Sequence, residues 1–203
     1  MAIVLVRHGE TAGNATRVVQ PADTPLNQAG LRQADKLAVR LRELGVAHLM
    51  SSHLPRALMT AQPIASLCGL TPELVPLLEE RNFGDLRGTP YADLPDGNPF
   101  GPDVSPKNGE TWAVFYERVE RAFAQVTERA QQTPGNLAVI THGLVVSAIL
   151  QRLVPVAEGL LVPGAFANGS ITLLDAESPF RATLINDTRH LGDDQSRTSY
   201  GAA

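Results

Sequence analysis

The chain has 203 residues, 43% of them hydrophobic, a formal net charge of −4 and a single cysteine, Cys68. That length suits one domain, 1–203, and that apolar content can fill a core, which excludes a globally disordered chain. No basic excess or basic run is present, so nucleic acid and anionic membrane surfaces are not expected partners, and one cysteine excludes an intrachain disulfide or a thiolate zinc cluster. No stretch approaches the roughly 20 apolar residues of a membrane helix. Residues 3–6 run straight into Arg7 and His8 with no signal-peptide pattern, and a cytoplasmic protein is expected.

Residues 3–6 (IVLV) form a short, wholly apolar run rich in β-branched side chains, which predicts a strand buried on both faces. Leu31, Ala34, Leu37, Ala38, Leu41 and Leu44 then recur at helical spacing, with Gly45 as the stop. Residues 49–51 read as a weaker strand. Pro55 suits a first helical turn, Ala57, Ala61, Ile64 and Ala65 supply the apolar stripe, and Gly69 ends it. Residues 74–77 are another weak strand. Residues 84–108 are crowded with proline, glycine and aspartate, Pro95 among them, and are too long for an ordinary connector, so 85–108 is expected to form a loop or lid. Phe115, Val119, Ala122 and Val126 mark a further helix closed by Pro134 and Gly135. Residues 137–140 repeat the buried-strand pattern, 143–153 read as a helix halted before Pro155, and 171–174 as a third buried strand. From Gly192 the chain is small and polar, which predicts a flexible tail over 192–203. Strands alternating with helices predict an α/β domain of three layers, α/β/α, around a mostly parallel sheet.

Two histidines hold matching positions. His8 and His142 each follow a buried strand, and each precedes a glycine. In a doubly wound sheet the carboxyl ends of the strands line the ligand crevice, so both imidazoles can face one pocket. Gly143 also opens a helix, whose free N–H groups and positive dipole end favour a phosphate. Taken alone, a histidine at a strand end is more commonly a structural residue, and Arg-His-Gly is a short motif. The surrounding blocks carry the argument.

Those blocks are Arg7-His8-Gly9-Glu10-Thr11 with Asn14, and Asp23-Thr24-Pro25-Leu26 leading to Gly30. Ser51-Ser52 with Arg56-Ala57 and Thr60-Ala61 follow, then Glu80-Arg81-Asn82-Phe83-Gly84, Asn108-Gly109-Glu110-Thr111 and Thr141-His142-Gly143. In this order they resemble the histidine phosphatase superfamily, in the branch that includes cofactor-dependent phosphoglycerate mutase. The resemblance implies a phosphoglycerate-mutase-like fold and an enzyme of phosphohistidine chemistry; no metal-ligand spacing is present, so neither metal nor cofactor is expected, and the expected substrate is a small-molecule phosphoester. A homodimer is a family-level expectation.

The chemistry fits these residue types. A phosphomonoester dianion needs cations that do not titrate, and the planar forks of Arg7 and Arg56 bind its oxygens in pairs. One such charge pair at about 4 Å is worth on the order of 4 kcal/mol at an effective dielectric near 20. His8, as nucleophile, must be neutral and fixed in one tautomer by a hydrogen bond from its other nitrogen to a backbone carbonyl. His142 is expected to donate to the phosphate, with Asn14, Gln20 and the Gly143 amide as further substrate contacts. A carboxylic acid must protonate the leaving alkoxide. By its place in the family block this is Glu80, with Glu79 the register alternative and Glu110 a third candidate whose other expected job is to cap the long helix.

The family holds both hydrolases and mutases. In the mutases the residue at the place of Pro21 is usually glycine, whose N–H helps to hold a substrate carboxylate, and proline has no such donor. The segment 85–108 holds only Arg87 and Lys107 as bases. Both features favour a hydrolase over a mutase, and retention of Arg7, His8, Arg56, Glu80 and His142 disfavours a catalytically silent binding protein. Cys68 is expected to pack, His48, His53 and His190 to be surface residues, and Trp112 and Phe115 to pack the lid or touch substrate.

Overall fold

The computed structural model describes residues 1–94 and 98–194. Pro95 of the expected lid and most of the expected tail lie outside the described residues. Six strands, β1 (Ala2–Arg7), β2 (Val46–Ser51), β3 (Glu73–Leu74), β4 (Asn136–Thr141), β5 (Ile171–Asp175) and β6 (Ala182–Asp187), form one sheet in the order β3-β2-β4-β1-β5-β6. The four strands from β3 to β1 run parallel; β5 is antiparallel to β1, and β6 to β5.

The central pair is central because it is apolar on both faces. Side chains alternate along a strand, so Ile3, Leu5, Leu137 and Val139 enter one core while Val4, Val6, Ala138 and Ile140 enter the other. The first core is covered by α4 (Trp112–Gln132) and α5 (Gly143–Arg152). The second is covered by α2 (Gln28–Glu43) and α3 (Pro55–Cys68). Gly69 ends α3 at φ +69°, a left-handed cap that its missing Cβ makes inexpensive. The result is the expected three-layer α/β/α domain around a mostly parallel sheet.

Three elements differ from the expectation. β6 was not anticipated, because five of its six residues are half-buried or exposed and Ala-Thr-Leu-Ile-Asn-Asp has no clean alternation. The weak strand at 74–77 shrinks to Glu73–Leu74, since Pro76 cannot donate to a ladder and instead starts a 3-10 turn over Pro76–Leu78. A short helix, α1 (Ala12–Thr16), follows the first strand and is closed by a capping box between Thr11 and Asn14.

Candidate active site

Register brings the two histidines together. Arg7 pairs with Thr141 at the carboxyl ends of β1 and β4, and the His8 amide donates to the Thr141 carbonyl at 3.0 Å. The rings of His8 and His142 lie 5.1 Å apart. The loop after β1 is held tightly: Gly9 N–H donates to Thr60 Oγ1 at 3.0 Å, and Asn168 Nδ2 donates to the carbonyls of His8 and Gly9 at 3.1 and 3.3 Å. The start of α2 presses directly on this loop. A Cβ at Gly30 would stand 2.1 Å from the Glu10 carbonyl oxygen, so only glycine fits there.

His8 Nδ1 lies 2.7 Å from the Gly9 carbonyl oxygen. A carbonyl only accepts, so Nδ1 carries the proton and Nε2 keeps its lone pair. Burial, then the charges of Arg56 and Arg7, hold this imidazole well below its usual pKa, against a smaller upward pull from the Gly9 bond. His142 is also held neutral, by burial first and then by Arg56, His8 and Arg7. Its Nε2 sits 2.9 Å from Ser52 Oγ. His142 Nδ1 is buried and has no hydrogen-bond partner among the described residues.

Arg7 and Arg56 both reach the wall of the same pocket, with His8, Gln20, Glu80 and Gly143. Arg7 Nη1 donates to the Phe166 carbonyl. Arg56 stands in the first turn of α3, and its Nη1 donates to the carbonyls of Pro21 and Ala22, both at 3.4 Å. Pro21 thus offers the site a carbonyl and no donor. Gln20 Oε1 accepts from Thr11 Oγ1 at 2.9 Å. Asn14 and His142 stand behind the wall rather than in it; Asn14 Oδ1 accepts from Thr11 and from Asn168 Nδ2.

The three glutamates separate cleanly. Glu80 aims its carboxylate at the helix N-terminus beside the pocket, accepting from Leu144 N–H at 3.3 Å and from Arg81 N–H at 3.0 Å. Burial raises its pKa, against the pull of those two amides and of Arg56 and Arg7. Glu79 turns instead toward His53, 3.8 Å away. Glu110 is not the cap of α4, since Thr111 does that work by accepting from Val114 N–H. It lies bidentate on Arg118, at 2.7 and 2.6 Å, and accepts from the Asn82 amide at 2.8 Å. Burial pushes the Glu110 carboxyl up, but the Arg118 bonds and the Asn82 amide outweigh it and leave the pKa lowered.

Arg118 also donates to the carbonyls of Leu77 and Glu79, at 2.9 and 2.8 Å, and so fixes the turn that presents Glu80. Sequence reasoning assigned no role to Arg118, Ser52 or Asn168. Ser52 stood inside a recognised block without a partner to name, while Arg118 and Asn168 carried no local signal. The remaining histidines need correction. His48 is bonded to Glu73 at 2.9 Å, and His190 is half-buried against the Gly169 carbonyl at 3.0 Å, so neither is a partnerless surface residue. Trp112 and Phe115 pack the lid: Trp112 Nε1 donates to the Gly101 carbonyl at 2.9 Å, Arg81 lies 3.9 Å over its ring, and Phe115 is fully buried.

The profile of the histidine phosphatase superfamily (branch 1) matches residues 3–188. Phosphoglycerate mutase-like protein 4 of Arabidopsis thaliana is 36% identical, over 77% of this chain and 72% of that one. The structure is similar to alpha-ribazole phosphatase of Shigella flexneri, with 29% identity, a TM-score of 0.76 and coverage of 92% of this chain and 96% of that one. It is also similar to phosphoglycerate mutase of Thermus thermophilus, with 32% identity, a TM-score of 0.68 and coverage of 93% and 99%. Together with the paired histidines at the ends of β1 and β4, these matches give the conclusion that the chain belongs to branch 1 of the histidine phosphatase superfamily.

Proposed function

We propose that the chain is a phosphatase that hydrolyses small-molecule phosphomonoesters through a phosphohistidine on His8, with Glu80 as general acid and then general base. The observation that carries this reading is His8 itself, neutral, with Nδ1 bonded to the Gly9 carbonyl. In the first step the Nε2 lone pair attacks phosphorus, the P–O ester bond breaks, and the alkoxide takes the Glu80 proton. Arg7 and Arg56 hold the phosphoryl oxygens, and the Gly9 carbonyl stabilises the charge that phosphorylation puts on the ring. In the second step Glu80 takes a proton from water, the water oxygen bonds to phosphorus, and the P–N bond breaks to regenerate His8. Hydrolysis is favoured over mutase transfer because Pro21 brings no N–H toward a substrate carboxylate.

The test is turnover of an aryl phosphate together with acid-labile phosphate labelling of the protein. Wild type should do both and His8→Ala neither. Labelling retained in His8→Ala sinks the nucleophile assignment. Conversion of 3-phosphoglycerate to its isomer with the bisphosphate cofactor, at a rate above hydrolysis, sinks the hydrolase assignment.

A further inference from the structure

Away from its charged end the pocket changes character. It encloses about 830 Å³, its open mouth included, and Val19, Leu54, Phe83, Tyr91, Phe100 and Leu144 make up much of the wall. Phe100 meets Phe83 edge-on at 5.9 Å and Tyr91 at 5.6 Å. This wall is built from behind. Val19, Phe83, Tyr91 and Leu94 form a buried cluster of their own, against which Leu86, Phe100 and Leu144 pack.

Polar groups for an organic moiety are few. The Gln20 oxygen is already bonded to Thr11, which leaves its amide group as a donor, and Arg81 donates through Nε and Nη2 to the carbonyls of Glu110 and Val104 while its Nη1 is buried. Ser147, the Tyr91 hydroxyl and the rim residue Arg87 are the other polar side-chain groups of that part of the wall. A sugar or glycerate would bring several hydroxyls against apolar surface, and each left unpaired costs on the order of tenfold in affinity.

We infer that the alcohol released at this site is apolar, an aryl-alkyl or extended alkyl alcohol, and that the aromatic wall around Phe100 selects it. The inference rests on the phosphomonoesterase reading above and names the class of its substrate. Enclosing a phenyl ring against such a wall is worth roughly 10- to 100-fold in affinity.

Phosphonates, whose P–C bond cannot be hydrolysed, separate selection from chemistry. By calorimetry, 3-phenylpropylphosphonate should bind roughly 10- to 100-fold more tightly than 3,4-dihydroxybutylphosphonate. Equal binding, tighter binding of the diol, or binding of neither above inorganic phosphate overturns the inference. Phe100→Ser should reduce the ratio by about tenfold, and Phe100→Leu, which keeps apolar bulk, should retain most of it; a ratio unchanged in Phe100→Ser overturns the role given to the wall. Turnover is then read on 3-phenylpropyl phosphate and 3-phosphoglycerate. Preferential binding of the aryl phosphonate without hydrolysis of its ester supports the selectivity and overturns the phosphatase reading. Hydrolysis with preference for 3-phosphoglycerate keeps the phosphatase reading and overturns the selectivity, pointing to Arg87 as the determinant.

Discussion

Lowering the pH from 7.5 to 5.5 should weaken the fold, by up to about 3 kcal/mol, through two buried imidazoles. His8 and His142 are 2% and 0% exposed. Burial, with Arg56 the next cause in both, holds each well below the ordinary histidine pKa. In the unfolded chain each returns to about 6.5. Below that pH the unfolded chain takes up protons that the folded chain refuses, so stability present above 6.5 is lost as the pH falls. With both imidazoles neutral in the folded chain, protonation favours the unfolded state by at most half of that overall figure per histidine at pH 5.5 and negligibly at pH 7.5. Glu80 works the other way. Its raised pKa lets the folded chain take a proton while unfolded glutamate is still ionised, which offsets part of the loss between that raised value and 4.5.

Urea unfolding of wild type, His8→Gln and His142→Gln at both pH values measures the effect. Each variant should lose the part of the wild-type pH dependence that its own histidine carries, whatever its stability at pH 7.5, while His190, whose pKa burial also lowers, contributes equally in all three proteins. Comparing slopes removes the packing and hydrogen-bond losses of the substitution itself, which are the same at both pH values. If His8→Gln keeps the full wild-type slope, His8 is not held neutral by the fold. The proposed nucleophile then has no available lone pair at mildly acid pH.

Glu80→Gln should lower kcat by about 10²- to 10⁴-fold on alkyl phosphates and far less on aryl phosphates with good leaving groups; an equal loss on both would remove Glu80 as the acid. Arg118→Met should cost about 2–3 kcal/mol in urea unfolding, because it leaves the half-buried Glu110 without its ion partner. The double variant Arg118→Met/Glu110→Leu should recover much of that loss, and no recovery would refute the ion-pair account. Gly30→Ala, whose Cβ would stand 2.1 Å from the Glu10 carbonyl oxygen, should displace the His8 loop and abolish phosphate labelling; a normally labelled, active variant would refute the close-packing argument. Chelators should leave turnover intact, and loss reversed by added divalent metal would refute the metal-free mechanism.

What the sequence made legible were the charged corners of the site. His8 and His142 stand out because each ends a short apolar run that only a central strand tolerates, and parallel pairing of β1 with β4 then places them side by side. Arg56 was legible for a similar reason, one residue inside a proline-started helix. The supports behind these corners were not, because their partners lie far along the chain. Asn168 reaches His8 across 160 residues, and Ser52 reaches His142 across 90. No periodicity encodes such contacts. The apolar wall was hidden for another reason. Its side chains come from separate segments, and the proline-, glycine- and aspartate-rich lid reads by composition as a polar loop. Phe83, Tyr91 and Phe100 acquire a common face only when that loop folds back over Val19 and Leu144.

In the proposed reaction the placement of Glu80 would tie its proton to the substrate's charge. Its carboxylate and the Gly143 edge of the pocket share one helix N-terminus, since Leu144 N–H already donates to Glu80. Burial leaves the Glu80 pKa raised, against the pull of the Arg81 and Leu144 amides and of Arg56 and Arg7. In the proposed reaction a phosphate dianion would occupy the same positive region. It would engage Arg7 and Arg56 and set a like charge beside the carboxylate, and both changes push the Glu80 pKa further up. Substrate binding would therefore proceed with proton uptake and load the acid that the leaving alkoxide requires. After transfer the alcohol departs and the phosphoryl group's charge is partly offset by the phosphorylated ring. The Glu80 pKa would then fall back toward its value before substrate binds, which is what a base facing water needs. A single carboxyl can serve both steps because the charge that sets its pKa arrives with the ester and is redistributed by the transfer.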